Sequence, residues 1–173
     1  QKRLPCRRQF KTHFDKTLED FRDKKVMEFQ EASLKRISLE KDGKSKTLVL
    51  REEKKEEDKE KTKAAWASED GTPMDHQAVS KLLSTLAFLK CQGYPDSPEK
   101  ADLEKTKPLC RIRLENEGGL ELFLFKGDQE EQVYGTSSMN GYVFELSRFS
   151  GKEILSNVDQ LLGIEKKDPK KKE

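Results

Sequence analysis

His13 and His76 are the only histidines in the chain and lie far apart, with no HxxxH or HExxH arrangement, so the sequence encodes no helical zinc site. His76 is expected to be exposed or part of a cap in the first turn of a helix. Cys6, Cys91 and Cys110 are odd in number, widely separated and without a CxxC pair that could grip a metal or run dithiol chemistry. Cys91 and Cys110 are read as small buried hydrophobes rather than as the two halves of a disulfide, and Cys6 as a bystander in a basic opening. Neither GxSxG, GxxxxGK[ST] nor GxGxxG occurs, and Ser150-Gly151-Lys152 reads as part of a helix cap rather than a phosphate loop. Carboxylates are plentiful, at 33 Asp plus Glu, and two of them can act as general acid and base. With so many, close pairs arise by chance and most belong to solvated faces. No residue is therefore assigned a catalytic, metal-binding or cofactor-binding role, and the chain is read as a non-enzyme. A hydrolase with a carboxylate-based active site is the alternative.

The most tempting polar pair is Arg22-Asp23, at the junction of a helix and a strand. Its expected role is pairing or capping at that junction, with recognition of another chain or repeat as the alternative. Lys2, Arg3, Arg7 and Arg8 at one end and Lys170 to Lys172 at the other could neutralise phosphates. No RRM, helix-turn-helix or zinc-finger pattern accompanies them, so nucleic acid is not an expected partner.

Composition sets the frame for these residues. Apolar residues make up 32% of the 173 and charged residues 39%, with 35 Lys plus Arg nearly balancing the acids. The core must be modest, and no field of one sign advertises a nucleic-acid or membrane surface. Nowhere do about 18 apolar residues run together, so no segment reads as a bilayer span. The sequence opens at Gln1 without Met or a hydrophobic signal, and the expectation is that a leader or anchor was removed or lies outside this chain.

Phe10, Phe14, Leu18 and Phe21 fall on one side of a helix over about 10–23, with Arg22, Lys24 and Lys25 near its carbonyl end, before Val26 to Phe29 leave in extended form. A hairpin follows. A type I′ turn at Asp42-Gly43 pairs Ile37 with Leu48, Leu39 with Lys46 and Lys35 with Leu50, which puts Ile37, Leu39, Leu48 and Leu50 on one face. Residues 52–63, EEKKEEDKEKTK, hold no apolar side chain and are read as a solvated charged loop.

Trp66 then sits on a short strand ahead of a helix over about 74–90, with Asp75 as N-cap and Val79, Leu82, Leu83, Leu86 and Leu89 as its apolar stripe. Phe88 lies nearly opposite Val79 on the helical wheel. It is expected to meet a second layer of the fold, with a docking partner as the alternative. Cys110, Ile112 and Leu114 alternate with polar residues, and Gly118-Gly119 leads into LELFLFK. A two-residue turn aligns Phe123 and Phe125 with Ile112, whereas a three-residue turn aligns Leu122 and Leu124 instead. Both faces of that strand are partly apolar, so it is expected to be central and covered on each side. A type I′ turn at Asn140-Gly141 puts Val133, Met139, Tyr142, Phe144 and Leu146 on one face and Gly135 opposite Leu146, where Gly135 makes room for bulky neighbours. A capping box of Ser150 and Glu153 opens a last helix whose inner face is Ile154, Leu155, Val158, Leu161 and Leu162, and Gly163 ends it.

Ile154, Val158 and Leu161 repeat the spacing of Phe14, Leu18 and Phe21 at a constant offset. Residues 1–24 thus read as a basic segment and helix that could close a preceding repeat, 25–163 as one complete unit, and 164–173 as a polar Lys-rich tail. EDFRDKKVMEF, Trp66 with TPMDHQAVSKLLSTLAFLK, and QVYGTSSMNGYVFELSRF resemble successive blocks of an uncharacterised bacterial family, the domain of unknown function 4340. The resemblance runs from Phe10 to Gly163; EEKKEEDKEKTK and the Lys-rich end depart from the pattern. It implies a membrane-anchoring segment outside this chain, tandem copies of the domain, a place at the extracytoplasmic face of the inner membrane in the cell envelope, and association with ABC-type transport systems. It supplies no catalytic residues. The fold expected is α+β, antiparallel hairpins forming a sheet with amphipathic helices packed on it. The function expected is a scaffold or partner-binding module that engages a protein partner or a neighbouring repeat, with Arg22, Asp23 and Phe88 as its candidate contact residues.

Overall fold

The computed structural model describes residues 21–53, 63–116 and 118–164. The predicted helix over 10–23 (save residues 21–23, of which Phe21 alone is helical), His13, Cys6, the middle of the charged loop and the Lys-rich tail lie outside them.

Asp42 and Gly43 take positive φ angles of 50° and 78°, the pair that a type I′ turn demands. They join β1 (Arg36–Lys41) to β2 (Lys44–Glu53) in the predicted register, Ile37 opposite Leu48 and Leu39 opposite Lys46, and Leu50 N–H donates to the Lys35 carbonyl at 3.0 Å. β2 pairs in turn with β3 (Lys63–Ser68), where Trp66 faces Leu50, and this pairing reaches Glu53 and Lys63. The two ends of the charged segment are therefore hairpin.

Helix α1 spans His76–Ala87, and the Asp75 carboxylate accepts a hydrogen bond from Gln77 N–H at 2.9 Å, the predicted cap. It stops short of Lys90 because Phe88 leaves helical geometry, at φ −132° and ψ 41°. A short helix α2 (Lys100–Leu103) precedes four consecutive strands, β4 (Cys110–Glu115), β5 (Leu120–Lys126), β6 (Val133–Ser137) and β7 (Asn140–Leu146). All seven strands form one antiparallel sheet in the order β3-β2-β1-β4-β5-β6-β7. The α+β fold read from the sequence is the fold observed.

The structure resolves the β4–β5 register: Ile112 faces Leu122 and Cys110 faces Leu124, as the three-residue turn requires. The last hairpin corrects the sequence reading. Its two-residue loop is Ser138-Met139, not Asn140-Gly141, and with a bulge between Gly135 and Ser137 this register leaves Gly135 facing Phe144 rather than Leu146. A Cβ on Gly135 would lie 2.4 Å from the Phe144 ring, so the glycine does make room for a bulky neighbour. Met139 and Tyr142 do not join Phe144 and Leu146 in the core; both are exposed.

Helix α3 (Arg148–Leu162) begins earlier than the predicted Ser150-Glu153 box: Ser147 is the N-cap, and its hydroxyl accepts from Ser150 N–H at 3.1 Å. Gly163, at φ 63°, ends it as predicted. Three lysines of the first hairpin secure that end. Lys46 and Lys44 donate to the carbonyls of Leu161 (2.9 Å) and Gly163 (3.2 Å), and Lys41 pairs with Asp159. This accounts for a lysine opposite Leu39 on an otherwise apolar face.

Helices α1 and α3 pack against each other and cover one face of the sheet, and the main core lies between (Ile37, Leu48, Ile112, Leu122 and Phe144 from the strands, Leu82, Leu86, Ile154 and Val158 from the helices). The segment carrying α2 reaches the opposite face, where Leu103 closes a second, smaller cluster with Phe125, Tyr134 and Val143. β5 is thus covered on both sides, as its pattern suggested. Cys91 and Cys110 are buried and free of any disulfide, again as read from the sequence.

Candidate interaction surface

Three surface regions carry the polar and aromatic side chains that could act. The first is built where residues 22–29 enter the domain. Val26 N–H donates to the Leu89 carbonyl at 2.9 Å, Cys91 N–H to the Lys24 carbonyl at 2.8 Å, and the buried Ser137 hydroxyl to the Val26 carbonyl at 2.7 Å, which fixes the incoming chain between the end of α1 and β6. The Asp23 carboxylate accepts from Lys25 N–H at 2.9 Å, and its carbonyl accepts from the Tyr94 hydroxyl at 2.6 Å. Arg22 lies beside the rings of both Tyr94 and Tyr142, its guanidinium carbon 5.2 Å from each centroid; the rings meet edge to face. Asn140 completes the clamp by donating to the Tyr94 hydroxyl at 3.0 Å. Burial, with a further contribution from the neighbouring Cys91, pushes the Tyr94 hydroxyl up to about 12, so it serves as a neutral donor. At this junction Arg22 thus packs beside the two tyrosines, while Asp23 accepts from Lys25 N–H and from Tyr94. Their partners Tyr94, Asn140 and Tyr142 were not foreseen.

The second region is the sheet face away from α1 and α3. Residues 100–108 wall a groove of about 500 Å³ over β4, β5 and β6, with Phe123, Phe125, Thr136 and Arg111 among its lining residues. Arg111 stacks on Phe123 at 4.9 Å and reaches Glu40 at 3.5 Å, while Glu121 is held by Arg113 Nε at 2.6 Å. The acids here are largely spoken for by adjacent arginines.

The third region is the outer side of the helical layer. Phe88, expected against a second layer, is 68% exposed, and Phe149, one residue into α3, is 75% exposed. Between α1 and α3 lies a crevice of about 290 Å³ lined by Lys81, Phe149, Lys152, Glu153, Ser156 and Asn157. Phe149 was overlooked because the sequence reading started the helix at Ser150. Its place two residues after the capping Ser147 is the signal that would have found it. Phe88 and the Arg22–Asp23 pair fall in two different regions of these three. Among the described residues no three His, Cys, Asp or Glu side chains gather as metal ligands, and His76 is exposed at the first turn of α1.

A seven-stranded antiparallel sheet with one face under two helices and the other partly open defines an α+β module with several exposed aromatic sites. The chain belongs to the family described as Domain of unknown function (DUF4340), whose model matches residues 8–109. The matched span holds the Arg22-Asp23 junction, Trp66 and α1, and it ends before β4, short of the Gly163 limit drawn from the sequence blocks. No curated protein and no solved structure matches the chain. No helix among the described residues is long and apolar enough to cross a membrane.

Proposed function

We propose that this chain is a non-catalytic partner-binding module of a membrane-anchored bacterial envelope protein, acting at the extracytoplasmic face of the inner membrane beside an ABC-type transport system. The observation that carries the binding role is the pair of phenylalanines on the helical layer. α1 and α3 turn their other large apolar side chains toward the sheet, yet Phe88 and Phe149 face solvent at 68% and 75% exposure. Large exposed aromatics gain free energy only when another surface covers them. The location and the link to transport rest on the family's character.

The test is site-specific photo-crosslinking in cells. Benzoylphenylalanine placed at 88 or 149 in the membrane-anchored parent is expected to trap an envelope protein, identified by mass spectrometry, that the same probe at exposed Arg113 does not trap. Equal trapping from all three positions sinks the binding role. Turnover of generic ester, phosphate or glycoside substrates by the purified chain would favour the hydrolase alternative instead.

A further inference from the structure

The chain holds three methionines, and the fold treats them differently. Met27 is fully buried in the main core, Met74 packs against that core partly buried, and Met139, in the loop between β6 and β7, is 50% exposed. An exposed methionine in a loop would ordinarily be idle. This one is not, because its Sδ accepts a hydrogen bond from Glu28 N–H at 3.3 Å, and no other acceptor for that N–H stands among the described residues. The residues on either side of the loop make the adjoining contacts with the incoming chain. The Ser137 hydroxyl donates to the Val26 carbonyl, and Asn140 donates to the Tyr94 hydroxyl, which in turn donates to the Asp23 carbonyl. The hairpin end that fastens residues 23–28 thus carries a thioether within reach of a dissolved oxidant, and that thioether is itself one of the fastenings.

We infer that Met139 is a site of reversible oxidation by hydrogen peroxide, and that its sulfoxide releases Glu28 and loosens the incoming chain from the domain. In the reaction a sulfur lone pair attacks one peroxide oxygen. The O–O bond breaks as the S–O bond forms, the sulfur loses two electrons to the peroxide, and the departing hydroxide takes the proton of the transferred hydroxyl and leaves as water. One lone pair is engaged by Glu28 N–H, so the peroxide meets the other, and the new oxygen points away from Glu28. Oxidation draws electron density from a sulfur that is already a weak acceptor, and the N–H passes to water. The inference stands apart from the partner-binding reading and does not rest on it.

Amide hydrogen exchange by NMR on the full chain, its exposed thiols first capped with iodoacetamide, tests it before and after treatment with hydrogen peroxide, with the added oxygen located by peptide mass spectrometry. Met139 should take up oxygen at least about tenfold faster than Met27 or Met74, since exposure governs the attack. Exchange at Glu28 N–H should then rise about fivefold, the loss of one modest hydrogen bond, while Val26 N–H, bonded to the Leu89 carbonyl at 2.9 Å, keeps its rate. Methionine sulfoxide reductases should restore both the original mass and the slow exchange. Met139→Leu, at an exposed loop position outside the core, should exchange fast at Glu28 from the outset and show no further change with peroxide. Oxygen uptake first at Met27 or Met74, exchange at Glu28 unchanged by oxidation, no recovery with the reductases, or slow exchange retained in Met139→Leu overturns the inference.

Discussion

Ile112 and Arg113 are neighbours in β4 and point to opposite sides of the sheet. Ile112 is fully buried beneath α1 and α3, whereas Arg113 lies on the other face, half exposed and paired with Glu121. The same alternation runs through β1, where Ile37 and Leu39 face the helices and Ser38 and Glu40 do not. The covered face holds the sheet together by excluding water from apolar side chains. The opposite face is bridged by exposed ion pairs, Arg36–Glu115, Arg111–Glu40 and Arg113–Glu121, which fix side-chain positions and add little stability. Seven strands thus yield a stable side and a side free to vary, and surface function can be carried without disturbing the core.

The sharpest way to break that contrast is Ile112→Ala. It should cost about 3 kcal/mol, from lost transfer energy plus a cavity between tightly packed neighbours, read as a lower urea midpoint at unchanged slope. A value under about 1 kcal/mol would mean that the helical cover is loose. Next in size is Gly135→Ala. The added methyl meets the fully buried Phe144 ring at 2.4 Å, so ring or backbone must move, at about 2 kcal/mol in the same assay. No change would place Gly135 away from the core.

How far these positions could be read from sequence depends on what each segment's chemistry determines locally. Asp42-Gly43 fixed a register because both residues tolerate positive φ and only one face of the strands beside them is apolar. Residues 120–125 could not, since Leu122 and Leu124 pack on one side while Phe123 and Phe125 take part in the groove and cluster on the other. A strand covered twice carries no alternation to read. Asn140-Gly141 carried a turn signal that the hairpin does not follow: Asn140 pairs with Ser137, accepts locally from Tyr142 N–H at 2.7 Å and donates over a long sequence distance to Tyr94. The candidate site was legible only in part. Arg22, Asp23 and Phe88 were marked by position, but the tyrosines around Arg22 and the crevice at Asn157 are assembled by tertiary packing, which leaves no periodic trace in the chain.

Alkali probes the covered face by another route. Burial pushes the Cys110 thiol up from 9.0 to about 12. Because the folded state keeps its proton more tightly than the unfolded chain, this contribution is complete below pH 9 and is lost as pH rises from about 9 to 12. By pH 10 the loss should reach about 1 kcal/mol, seen as a falling melting temperature under reducing conditions. Cys110→Ala, less stable at neutral pH, should show a shallower fall over that range. An identical slope in both proteins would mean that water reaches the thiol.

The smallest effect is expected one residue along from Cys110 and Ile112's shared face, at Arg113→Ala. The Arg113–Glu121 pair is short, but both side chains touch solvent, at 51% and 32% exposure, and water screens the attraction while two flexible side chains must be held in register. Removing the guanidinium should lower stability by no more than about 0.5 kcal/mol, and less still in high salt. The decisive comparison is within one strand, between Arg113→Ala and Ile112→Ala measured side by side. A ratio near one would mean that the second face is buried in solution, covered by another part of the protein or by a second copy. A ratio of about six or more leaves the sheet around Arg113 open to solvent, with the helical side supplying most of the stability there.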